Sequence, residues 1–243
     1  MHPDTGSEAK KLSQEISKVM KNVSGVEVII TPSFVHIPLL LFSSKKIFLG
    51  AQDVCSEEKG SYTGEISITQ LKKLGATHVI VGHSERRLLG DTNEYINRKL
   101  KTVLKAKLTP ILCIGEKTRD TQGTYLAFLQ NQIKSAFAGV SRADALRSVI
   151  AYEPVWAIGK SADDAMKPQD IHEIVLFIQK VITEIYNRDA SKKIAILYGG
   201  AVEVQNAESI VREGNVDGLL VGHASLSIKT LSPIILALNS IKA

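Results

Sequence analysis

Long apolar runs are missing from this sequence. No stretch of about 18 uncharged apolar residues occurs, so no membrane-spanning helix is expected. An apolar leader is missing as well: Met1-His2-Pro3-Asp4-Thr5-Gly6-Ser7-Glu8 is polar and acidic and does not read as a secretory signal. Cysteine is scarce. There are two, Cys55 and Cys113, with no Cys-x-x-Cys pair, and incidental thiols in a reducing, cytoplasmic compartment are the expectation. A strong charge of either sign is lacking too. The formal net charge is +5, and the lysines are scattered in pairs such as Lys10-Lys11, Lys45-Lys46 and Lys72-Lys73 rather than interleaved with aromatics, so no nucleic-acid partner is expected. A mild positive field suits a small anionic substrate without showing one. No linker, low-complexity tract or shift in composition interrupts residues 1–243, which read as one domain.

What is present is alternation. Apolar, β-branched runs at 26–31, 47–51, 77–81, 109–114, 147–152, 193–198 and 216–220 predict seven strands. Segments at 4–22, 34–42, 93–106, 121–137, 168–186, 204–213 and 226–238 predict helices between and after them. Asp4 is placed to cap the first helix, and Pro168 sits at the first position of another, where its missing N–H costs nothing. The strands are continuously apolar, as parallel strands buried on both faces are. An open doubly wound sheet and a closed barrel both fit. A closed barrel of this class uses eight strands, each followed by a helix, so one strand before residue 4 would complete the count.

In parallel α/β folds the chemistry gathers where strands end. Gly82-His83-Ser84-Glu85-Arg86-Arg87 follows the third run, Glu153-Pro154-Val155-Trp156-Ala157-Ile158-Gly159 the fifth, Gly199-Gly200-Ala201 the sixth and Gly222-His223-Ala224-Ser225-Leu226 the last. Glu153, flanked by Tyr152, Pro154 and Trp156, has the apolar setting that suits a general base, and a salt-bridged structural glutamate fits equally at this point. His83 precedes a short segment able to start a helix, which would favour neutral imidazole; a satisfied loop histidine is the plainer reading. The turns at Gly199-Gly200 and Gly222-His223 offer backbone N–H groups where barrel phosphate sites usually form.

The histidine segment, the run Ala151-Tyr152-Glu153-Pro154-Val155-Trp156-Ala157-Ile158-Gly159, the loop Tyr62-Thr63-Gly64-Glu65-Ile66-Ser67 and the stretch Cys113-Ile114-Gly115-Glu116-Lys117 together resemble the triosephosphate isomerase family, in order and spacing, from about Pro3 onward. The resemblance implies an α/β (β/α)8 TIM barrel, here with seven strands and the first β-strand missing. It implies a glycolytic and gluconeogenic isomerase that interconverts dihydroxyacetone phosphate and D-glyceraldehyde 3-phosphate without metal or organic cofactor. Glu153 would move a proton between adjacent carbons. Neutral His83 would polarise the carbonyl, and Glu85 would support it. Residues 155–159 would begin a closing lid. Gly159, Gly199, Gly200, Gly222 and His223 would meet the phosphate. The family is typically a homodimer whose interface loop, here about residues 53–65, brings Thr63 near the neighbour's site.

Four departures from the family qualify this. Family members begin with a strand followed by Asn-Trp-Lys-Met-Asn, and Met1 falls on the methionine of that motif, so the catalytic lysine is expected to be absent from this sequence; Lys10 and Lys11 lie on the following helix. Ala201 replaces a serine, His223 replaces a second glycine, and Lys160-Ser161-Ala162-Asp163-Asp164 lacks the usual second glycine of the lid tip. An impaired isolated chain that gains from a complementing N-terminal strand is the expectation. The alternatives are a barrel fragment or a non-catalytic binder of phosphate ligands, and a pure binder has no chemical use for both Glu153 and His83.

Overall fold

A computed structural model describes residues 3–40, 42, 44–160 and 165–242. The strands are β1 (Val28–Ile30), β2 (Ile47–Ala51), β3 (His78–Val81), β4 (Thr109–Ile114), β5 (Val149–Tyr152), β6 (Ala195–Tyr198) and β7 (Gly218–Leu219). They form one sheet in the order β1-β2-β3-β4-β5-β6-β7, and every pairing is parallel. The helices are α1 (Gly6–Val19), α2 (Ile68–Lys73), α3 (Ser84–Leu88), α4 (Asn93–Lys105), α5 (Thr124–Ala136), α6 (Arg142–Ala145), α7 (Pro168–Ile185), α8 (Arg188–Lys193), α9 (Val204–Glu213) and α10 (Ile228–Lys242). Among the described residues no helix is long and apolar enough to cross a membrane. The architecture is that of a parallel (β/α) barrel carrying seven strands: the alternation predicts the strands, and their sequential order decides for the barrel over a doubly wound sheet.

Burial explains why the strands read as unbroken apolar runs. On β3 to β5, Ile80, Ile111, Cys113 and Ala151 face inward and cluster together, while Val79, Val81, Leu112, Ile114, Ile150 and Tyr152 join the larger core beneath the helices. Three short helices, α2, α6 and α8, went unread. α2 has a capping box made by Ser67 and Gln70, and α8 is capped by Asn187. α6 and its turn occupy the chain up to Ser148, whose N–H donates to the Ala145 carbonyl, so β5 starts at Val149 and not at 147. α8 likewise delays β6 to Ala195. The first helix is capped by Thr5, not Asp4: Thr5 Oγ1 accepts from Glu8 N at 3.2 Å, and Glu8 Oε2 accepts from Thr5 N at 3.3 Å. The helix expected over 34–42 is a 3-10 helix over Phe34–Leu39; residue 41 lies outside the described residues.

β1 and β7 stand at the two ends of the strand order, and the helices bring those ends together. Ala9, Leu12 and Ile16 of α1 share a core with Leu231 and Ile235 of α10, and Ile30 and Ile47 reach it from the sheet. Asn239 on α10 accepts two backbone N–H groups, from Ser24 and Gly25, each at 2.9 Å. Asn239→Ala leaves both donors to water, and a loss of about 1–2 kcal/mol in unfolding free energy is expected from chemical denaturation. A variant as stable as the parent would show that the α1–α10 apolar contact alone holds these ends.

Candidate active site

Strand register sets the site. Ile114 pairs with Tyr152, Tyr152 with Tyr198 and Tyr198 with Leu219, so the next row on the rim is Gly115, Glu153, Gly199 and Leu220. Backbone bonds extend the ladder into that row: Glu153 N donates to Ile114 O at 2.7 Å, Gly199 N to Tyr152 O at 2.8 Å and Leu220 N to Tyr198 O at 2.8 Å. The row is too crowded for side chains at its glycines. A Cβ on Gly115 would lie 1.7 Å from the Glu153 carbonyl oxygen, and one on Gly199 would lie 3.0 Å from Glu153 Cγ.

Glu153 is 2% exposed. An ionised carboxylate so deep needs partners, and it has two. Oε1 lies 3.0 Å from His83 Nε2, and Oε2 accepts the Ser84 N–H at 3.1 Å. His83 reaches it because Gly82, with φ +76°, turns the chain sharply off β3. His83 then caps α3, and its Nδ1 accepts the Glu85 N–H at 3.3 Å. That bond leaves the ring proton on Nε2, facing Glu153. Arg87 fixes the turn from behind: Nε donates to Gly82 O at 2.8 Å, Nη2 to Cys113 O at 3.0 Å and Nη1 to Asn93 Oδ1 at 2.9 Å.

Burial works against a charged His83, but the hydrogen bond and charge of Glu153, with help from Glu85, outweigh it and raise its proton affinity above the usual histidine range. The helix N-terminus by itself suggested the opposite direction. The Cys113 thiol is pushed well up, first by burial and then by the Glu153 charge, so it stays a neutral packing group and not a nucleophile.

A second buried acid lies one strand away. Glu116 is 1% exposed, and its Oε1 accepts from Tyr152 Oη and Trp156 Nε1, both at 2.9 Å, while its carbonyl accepts the Val155 N–H at 3.0 Å. Burial and then the Glu116 charge hold the Tyr152 phenol far above its ordinary value, which keeps it a donor.

The structure therefore brings Glu153, His83 and Gly199 together. Gly200 is next to them: a Cβ there would meet Tyr198 Oη at 2.3 Å and Pro154 Cγ at 3.2 Å. Glu85 touches the far side of the imidazole only, with Oε2 3.8 Å from Nδ1 and its side chain 80% exposed. Gly159 (φ +75°), Gly222 and His223 are exposed and, among the described residues, make no hydrogen bond or ion pair with Glu153 or His83. The lid-tip residues 161–164 and the residues 1–2 aligned with the family's opening motif lie outside the described residues. Sequence reasoning assigned no role to Ser84, Arg87, Glu116 or Gln132. Three of them stood inside quoted motifs, but Gln132, which accepts the Gly115 N–H at 2.9 Å from α5, carried no signal of its own.

Chemically, a buried base beside an N–H donor on one rim can remove a proton from carbon and stabilise the oxyanion that results. The family model described as triosephosphate isomerase matches residues 1–238. The triosephosphate isomerase of Caldanaerobacter subterraneus subsp. tengcongensis is 41% identical over 236 residues, covering 95% of this chain and 94% of that protein. Those of Citrifermentans bemidjiense and Thermoanaerobacter pseudethanolicus are 40% and 39% identical, with 95% of this chain covered in each case and 93% and 94% of theirs.

Because Glu153 raises the proton affinity of His83, His83 contributes stability that is complete below the unfolded histidine pKa and is lost as pH rises through the higher folded value. In Glu153→Gln the two main raising influences go and burial remains. The His83 ring, followed by NMR, is expected to titrate at lower pH than in the parent; an unchanged midpoint would detach it from Glu153.

Proposed function

The chain belongs to the triosephosphate isomerase family, whose members interconvert dihydroxyacetone phosphate and D-glyceraldehyde 3-phosphate, and from that premise we propose which of its residues do so. Glu153 is the base. It takes a proton from the hydroxymethyl carbon of dihydroxyacetone phosphate, and the electron pair flows into the adjacent carbonyl. The enediolate oxygen receives the His83 Nε2 hydrogen. His83 then recovers a proton from the neighbouring hydroxyl, and Glu153 returns its own to the second carbon. The observation that carries this reading is the 3.0 Å approach of a buried carboxylate to an imidazole whose other nitrogen is already occupied.

The raised proton affinity of His83 fits the resting state. When Glu153 turns toward the substrate carbon, His83 loses its chief stabilising partner, and burial then favours the neutral ring the reaction uses. Glu85 supports the ring from the Nδ1 side. Gly159, Gly200, Gly222 and His223 hold the phosphate through backbone N–H groups. Gly199 serves the same turn by the side chain it lacks, since its N–H is engaged by Tyr152 O. Residues 155–159 begin the lid that shields the enediolate.

We also propose that a strand ending in Asn-Trp-Lys, in this chain or another, seats between β1 and β7 and brings the lysine to the substrate's charge. The support is that these strands are the two ends of the described sheet. A homodimer fits the projecting loop, exposed throughout residues 58–65, and two buried free thiols fit a cytoplasmic setting.

The test is a coupled isomerase assay with a peptide of roughly 15–20 residues, carrying a strand of about 5–6 apolar residues followed by Asn-Trp-Lys. The peptide is expected to raise the rate. The same peptide with its lysine changed to alanine should bind and raise it little. In the active form, Glu153→Gln and His83→Ala should each lower turnover by about 10²–10⁴. Parent-like turnover in Glu153→Gln would remove it as the base, and equal rescue by both peptides would remove the lysine.

A further inference from the structure

Two groups hold the ends of the connection between β5 and α7, and both belong to the segment that follows β4. The first end is tied to Glu116 through Trp156 Nε1 and Val155 N. At the second end, Met166 is 3% exposed, two residues before Pro168 opens α7. Its sulfur lies 3.5 Å from Arg119 Nη1 and 3.7 Å from Tyr152 Oη. Thioether sulfur is a weak acceptor; Arg119 donates to it, and the Tyr152 hydroxyl packs against it. Tyr152 Oη also donates to Glu116 Oε1 at 2.9 Å, so one phenol touches the anchors of both ends.

Arg119 does not take its position from the connection. Its Nη2 donates to Tyr125 Oη at 3.2 Å, and its guanidinium carbon stands 4.8 Å from the centre of the Tyr125 ring, on α5. A cation fixed by a helix of the barrel therefore presents one N–H to the side chain at the far end of the connection. Glu116 Oε2 is buried with no hydrogen-bond partner among the described residues, where Tyr152 and Trp156 meet the carboxylate and the Arg119 cation lies in its field.

We propose that Arg119 and Met166 form a latch that couples the second end of the β5–α7 connection, through Tyr152 and Glu116, to the first end at Trp156, so that Arg119 is a positioning residue for closure over the site. This rests on the reading of residues 155–159 as the start of a lid. Releasing the latch frees Trp156 although neither Arg119 nor Met166 is among its hydrogen-bond partners.

Trp156 is the sole tryptophan of the sequence, so its fluorescence reports the first end directly. Acrylamide quenching is measured for the parent, Arg119→Ala, Met166→Leu, Met166→Ala and the Arg119→Ala/Met166→Ala pair, with circular dichroism to confirm folding. Arg119→Ala and Met166→Ala are each expected to raise the quenching constant about twofold, as a local opening would. The double variant should rise no further, because both act through one contact. Met166→Leu keeps the volume and removes the sulfur, so it tests the contact where a cavity would confuse the result. It should quench more than the parent. Unchanged quenching in folded Arg119→Ala and Met166→Leu, or a double variant equal to the sum of the singles, overturns the latch. With substrate, the variants should also release more inorganic phosphate per isomerisation, because an unshielded enediolate can expel its phosphate by breaking the C–O bond; a ratio equal to the parent's counts against the proposal. A parent with no isomerase activity even when the Asn-Trp-Lys peptide is supplied would instead strike at the isomerase reading, and the fluorescence result would still judge the latch.

Discussion

Burying the Glu153 carboxylate is the constraint around which this rim is built. A charge that deep is tolerated only where hydrogen bonds replace water, and here they come from a single turn: His83 Nε2 and the Ser84 N–H, two successive residues at the end of β3. For that turn to face Glu153 across β4, the strand between them must come close to β5 without a side chain in the way. Gly115 meets that need, since any Cβ there would run into the Glu153 backbone. Gly199 does the same from the other side. The glycines of this row, which are easily read as phosphate turns, serve first to make room for the base.

The neighbouring acid solves the same problem in another way. Glu116 is as deep as Glu153, yet its Oε1 is taken up by a phenol and an indole and it has no imidazole partner. Two buried carboxylates on adjacent strand ends thus have separate duties. The one partnered by histidine faces a titratable group, the His83 imidazole. The one partnered by Tyr152 and Trp156 holds the phenol beside it un-ionised. Arg87 and Arg119 stand under the two sites in a similar division, the first pinned to backbone carbonyls of the histidine turn and the second to Tyr125 and the connection after β5.

Much of this was legible in the sequence. The seven strands and the long helices follow from apolar spacing, and Glu153 and His83 stand out as strand-end residues in an apolar setting. What could not be read has physical causes. Short helices such as α6 and α8 have too few turns for periodicity to register, and only their caps at Ser141 and Asn187 betray them. Thr5 and Asp4 are equally good caps by type, and the choice falls to Thr5 because Glu8 is three residues beyond it, which completes a capping box. The direction of the His83 shift depends on where the Glu153 oxygens lie, a distance between strands that no local pattern contains. Gln132 is one more polar residue on α5 until the fold aims it at Gly115.

The Glu153–His83 pair and the ends of the sheet are also separable. His83, Gly115 and Glu153 sit on β3, β4 and β5, in the middle of the strand order, where every strand is paired on both sides. Their geometry is set by the β3–β4 and β4–β5 ladders, by Arg87 behind the turn and by Gln132 under Gly115, none of which involves β1 or β7. The ends meet through helices instead, with α1 against α10 and Asn239 holding the loop before β1. A belt of helices can close at that point without requiring the strands within it to hydrogen-bond. It follows that the approach of Glu153 to His83 is set in the middle of the sheet and does not depend on contacts at β1 or β7.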